Sequence, residues 1–130
     1  MLTLIAMLSI GCAALTTDRR DYAAGDTIGL ALANHGTSAL NHDACGAALQ
    51  RRDGGARWAF VGDGEQPPDC SYVCVPLRIG KVIRDTFLLP GDLTAGEYRV
   101  IFWIYWHRPL AHPGSRLHSV AVASNGFRVR

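Results

Sequence analysis

The sequence is poor in the features that announce a chemistry. It carries no sustained helical period, no internal repeat and no low-complexity block, which excludes helical bundles, solenoids and disordered tails. No apolar run approaches the ~20 residues that span a bilayer as a helix. The formal net charge is only +2 over 130 residues, too small to make nucleic acid or an anionic surface the main partner. The methionines are Met1 and Met7, both in the apolar start, so a copper site of the Cys/His type would lack its weak axial sulfur. The runs Gly62-Asp63-Gly64 and Asp53-Gly54-Gly55 lack the lysine and the strand-to-helix setting of a phosphate-cradling loop, and read as turns.

What is present begins with composition. Apolar residues make up 48% of the chain, enough for one domain with a packed core. The start, MLTLIAMLSIGC, is apolar from Met1 to Ile10 and uncharged until Asp18. That fits the apolar region of a secretory signal. Its end, LSIGC, resembles a bacterial lipobox, with Cys12 as the lipidated residue. Plain secretory cleavage within GCAAL and a first strand of the fold are the other readings. The division expected is a signal over 1–12, a short tether over 13–17 and a domain over 18–130. Export and a lipid anchor imply a membrane-attached protein of the periplasm or cell surface.

An oxidising compartment lets disulfides persist. With Cys12 assigned, Cys45, Cys70 and Cys74 remain. In an extended CSYVC segment, Cys70 and Cys74 stand roughly 13 Å apart, beyond disulfide reach. The pairing expected is therefore Cys45 with Cys70, with Cys74 as the alternative partner.

From residue 18 onward the chain reads as strands separated by Gly/Pro punctuation. TIGLALAN alternates Ile28, Leu30 and Leu32 against Gly29, Ala31 and Ala33. AALQRRDGGARWAFV reads as a hairpin turning at Asp53-Gly54-Gly55. KVIRDTFLL sets Val82, Arg84, Thr86 and Leu88 against Ile83, Asp85, Phe87 and Leu89. Short alternating strands of this kind predict an all-β, antiparallel β-sandwich. In LTAGEYRVIFWIYW, Leu93, Gly96 and Tyr98 have the spacing of a tyrosine corner, in which the hydroxyl bonds back to the preceding turn. The corner points Tyr98 inward, assigns Val100, Phe102, Ile104 and Trp106 to the core, and turns Ile101, Trp103 and Tyr105 outward.

Taken in order, YAAGDTIGLALANHG, LQRRDGGARW, FLLPGDLTAGEYRVIF and VASNGFRV resemble the bacterial immunoglobulin-like domain of small secreted lipoproteins, over residues 20 to 130. The hairpin has two extra residues before Trp58, and Val100 stands where antibody domains place a cysteine. The resemblance implies an immunoglobulin-like sandwich and an extracytoplasmic location, and no catalytic residues.

No arrangement of residues argues for catalysis. His42 and Cys45 have a spacing seen in metal sites, but exported cysteines are more often disulfides. No metal and no cofactor are expected. The loop HRPLAHPGSRLH holds Arg108, His112 and Arg116 with no acid, and loops at the end of a sandwich are where sites are grafted. Together with the outward row Ile101, Trp103 and Tyr105, these residues form the candidate binding surface. The expectation is a non-enzymatic, lipid-anchored module that binds a protein or an envelope component, with no nucleic acid. The alternative is a small β-sandwich proteinase inhibitor presenting GDGEQPPDCSYVC as its rigid loop.

Overall fold

The computed structural model describes residues 13–36, 40–62, 74–106 and 119–130, and for 40–46, 74–76, 105–106 and 119–120 the backbone alone. The described residues contain no helix. They form β1 (Ala13–Thr17), β2 (Asp21–Tyr22), β3 (Thr27–Asn34), β4 (Leu40–Arg52), β5 (Trp58–Phe60), β6 (Cys74–Leu77), β7 (Val82–Leu88), β8 (Gly96–Trp106), β9 (Ser119–Ala123) and β10 (Phe127–Val129). A three-stranded sheet has the order β1-β3-β7. A seven-stranded sheet has the order β2-β10-β8-β4-β5, with β6 also on β4 and β9 also on β8. The pairings are antiparallel except for β2 with β10 and an isolated Leu15–Ser124 bridge, which are parallel.

The alternation read from the sequence explains the core. Ile28, Leu30 and Leu32 of β3 and Tyr98, Val100, Phe102 and Ile104 of β8 are each at most 3% exposed. They share one apolar cluster with Leu49, Val122, Phe127 and Val129, so the inner faces of both sheets meet in it. Tyr98 donates its hydroxyl to the Thr94 carbonyl at 2.7 Å, and Leu93 packs against the cluster. Its ring stacks with Phe127, centroids 6.4 Å apart. Gly96 lies where an added Cβ would stand 3.1 Å from Arg51 Nε, and Arg51 donates to the Ala95 carbonyl below it.

Residues 13–17, expected as a tether, are instead strand β1. Ala13 to Thr17 pair in unbroken register with Asn34 to Leu30, and Ala13 and Leu15 are buried. The alternating small and apolar residues suit a pleated strand, and burying Leu15 supplies what a free tether lacks. Residues 1–12, with Cys12, lie outside the described residues.

Two side chains fasten the sheets. Asn34, fully buried, donates through Nδ2 to the Leu77 carbonyl and accepts from Gly36 N–H through Oδ1. Its backbone accepts from Gly80 N–H and donates to Lys81 O. Asn125 accepts from Thr17 N–H and donates to Thr17 Oγ1 at 2.8 Å, tying β1 to the segment between β9 and β10.

Candidate functional site

The outer face of the large sheet is built where β5, β4, β8 and β9 run side by side. Opposed residues of an antiparallel pair share a face. Gln50 pairs with Phe60 and Arg99, Arg52 with Trp58, and Ala48 with Ile101. Ile101 pairs in turn with Ala123, and Trp103 with Ala121. One face therefore carries Trp58, Phe60, Gln50, Arg99, Ile101 and Trp103.

Arg99 is the centre of that face. Its guanidinium lies over the Trp58 ring, 4.4 Å from the centroid, a cation–π stack. Its Nε donates to Gln50 Oε1 at 2.7 Å, which fixes the plane of the fork. Burial pulls the Arg99 pKa below its ordinary value, and the group remains a cation at neutral pH. Its terminal nitrogens have no partner among the described residues. Beside it, Arg52 and Glu97 form an exposed ion pair at 3.2 Å, which screens the rim.

The outward row differs from expectation at Ile101. That residue is 2% exposed, so it is not part of an accessible patch. It sits on a central strand between Ala48 and Ala123, with neighbours on both sides that an edge residue would lack. Trp103 is half-buried, and its indole N–H is shielded from solvent with no acceptor among the described residues. Tyr105 continues the row by register, opposite Asn41 and Ser119. Arg108, His112 and Arg116 lie outside the described residues, as do Cys70 and residues 63–73 of the inhibitor-type loop GDGEQPPDCSYVC. Cys45 and Cys74 are placed by backbone alone. Asp43, Ala44, Cys45 and Gly46 fill an irregular interval of β4 that β8 crosses with Trp103, and Cys74 pairs with Asp43.

The residues that the sequence reading did not assign to the site are Trp58, Gln50 and Arg99. Trp58 stood out only as part of the hairpin pattern. Gln50 and Arg99 are 49 residues apart, and only the register of β4 on β8 joins them. No three of the described His, Cys, Asp and Glu residues gather within coordinating reach. The face offers aromatic surface, an oriented cation and a shielded donor. No protein-family model matches the chain, and no curated protein sequence is significantly similar to it.

Proposed function

We propose that this protein is a non-enzymatic, extracytoplasmic immunoglobulin-like module, anchored by a lipid on Cys12, that binds a protein or an envelope component through the outer face of its large sheet. The strand order supports the immunoglobulin-like type. The chain leaves the small sheet after β1 and joins the large one at β2, running parallel to the last strand, so its first strands join the two sheets of a two-layer sandwich. The lipobox-like LSIGC supports export and anchoring.

The observation that carries the binding role is the Trp58–Arg99–Gln50 stack. A stacked arginine whose terminal nitrogens have no partner among the described residues calls for an acceptor from outside, and Trp103 adds aromatic surface on the same face. Aromatic and arginine side chains are the usual anchors of interfaces. The partner therefore presents carbonyl or carboxylate oxygens against apolar surface.

Affinity capture from the native envelope tests this with the wild type and with Arg99→Ala and Trp103→Phe. The expected result is a captured component that both variants lose while their melting temperatures stay near that of the wild type. Retention of the component by both variants overturns the assignment of this face. Intact mass tests the anchor: the wild type carries acyl mass and Cys12→Ser does not.

A further inference from the structure

One end of the sandwich gathers apolar and cationic side chains around a single turn. Lys81 N–H donates to the Arg78 carbonyl at 3.1 Å, which closes a turn with Ile79 and Gly80 at its corners. Gly80 has φ 76°, which suits the third position of a type II turn. Ile79 therefore stands at the second position, in a motif where Gly, Pro, Asn, Asp and Ser dominate. It is 53% exposed, and Val82, the first residue after the turn, is 49% exposed. Arg78 and Lys81 flank the tip, and both are exposed. Neither forms an ion pair among the described residues, and the chain holds no acid between Asp69 and Asp85. The net charge of +2 does not describe this end, where cations frame exposed apolar side chains.

The register sets this tip beside the start of β1. Gly80 N–H donates to the Asn34 carbonyl, Asn34 N–H donates to the Lys81 carbonyl, and Asn34 pairs with Ala13. Ala13, Asn34 and Lys81 thus form one rung across neighbouring chain segments, which puts Ala13 and Lys81 about 10 Å apart. Ala13 follows Cys12, and a lipid on Cys12 brings the bilayer to this end. Apolar side chains inside a cationic rim match an anionic lipid surface, whose headgroups take the cations and whose acyl boundary takes the apolar groups. We propose, resting on the lipid anchor at Cys12, that the Arg78–Lys81 turn is a membrane-docking tip: Ile79 and Val82 enter the bilayer interface, and Arg78 and Lys81 bind anionic headgroups.

Partition of the full chain onto vesicles over a lipid titration tests the tip. A Cys12→Ser parent keeps the measurement independent of lipidation, which intact mass reports separately. On vesicles of phosphatidylcholine with phosphatidylglycerol, Arg78→Gln combined with Lys81→Gln lowers the partition coefficient about thirtyfold. Ile79→Ser lowers it about tenfold. On phosphatidylcholine alone the charge variant matches the parent. Arg128→Gln combined with Arg130→Gln has the same net charge but alters the other end: Arg128 pairs with Glu97 at the start of β8, whereas Leu77, next to Arg78, pairs with Leu40 opposite Trp106 at its finish. That control partitions like the parent. Should Ile79→Ser lose the circular dichroism of the parent, Val82→Ser carries the same reading. A folded charge variant that partitions like the parent overturns the proposal. So does an equal loss in the far-end control, a folded Ile79→Ser or Val82→Ser chain with unchanged partition, or a parent that does not bind the mixed vesicles.

Discussion

Tyr98 decides which side of β8 faces the core. Its ring is buried and its hydroxyl has one strong acceptor, the Thr94 carbonyl. Tyr98→Phe keeps the ring and orphans that carbonyl, so it should cost about 1–2 kcal/mol in urea unfolding, without a change in the slope m. Asn34 is more demanding. Asn34→Ala leaves Gly36 N–H and the Leu77 carbonyl without their side-chain partners, and should cost about 2–3 kcal/mol in the same experiment. Asp18 and Tyr22 each make a contribution to stability that depends on pH. The Tyr22 hydroxyl donates to the Asp18 carboxylate, and that bond first, with Gly29 N–H adding to it, holds the Asp18 pKa below the ordinary value. This contribution is present above the unfolded pKa and is lost as pH falls through the folded one. Burial first, and then Asp18, raise the Tyr22 pKa. Its contribution is present below the unfolded phenol value of about 10 and is lost as pH rises through the folded one. The urea midpoint should therefore decline at both ends of the pH scale, and Tyr22→Phe should flatten both declines.

At the level of elements, the turn into β7 depends on Gly80, whose φ is 76°. Nothing crowds the position, so Gly80→Ala tests backbone strain alone and should lower stability by about 1–2 kcal/mol in a thermal melt. Alternation made β3 and the inner face of β8 legible in the sequence, because their inward residues are large and apolar, whereas β7 was legible only as an alternating strand: Val82 and Leu88 are exposed and Asp85 shares the inward side of Ile83 and Phe87. The hairpin into β5 was legible from Asp53-Gly54-Gly55. The full length of β4 was not. Its irregular interval at Asp43–Gly46 breaks the period of two on which strand reading rests. β1 was hidden because Ala-Ala-Leu-Thr-Thr has the composition of a linker and becomes a strand only beside β3. Ile101 was misplaced for a related reason. Parity says which face a residue takes, but exposure depends on the strands flanking it. The tyrosine-corner residues were visible as a local spacing, whereas the Arg99–Gln50 bond depends on long-range register.

On the scale of the whole molecule, the two sheets share their inner faces, and among the described residues polar links between them are few. The Asn125–Thr17 pair is one, and the parallel bridge at Leu15–Ser124 lies beside it. Asn125→Ala should leave the amides of β3 and β8 protected in hydrogen exchange while those of β1 lose protection, since local opening then costs two fewer hydrogen bonds. Equal loss across both sheets would mean that β1 opens only with global unfolding. The ladders join residues far apart in the chain, so refolding should take milliseconds to seconds, as is usual for sandwiches.

The burial of Ala13 has a mechanical meaning. It is the first described residue, the neighbour of Cys12, and already a rung of the β1–β3 ladder. A lipid on Cys12 would attach to the sandwich with no slack, so the domain would stand on the headgroups instead of swinging above them. A pull outward would then load the Ala13–Asn34 rung first and unzip β1 bond by bond. The strand would act as a tear strip that yields before the core and pays out reach under tension.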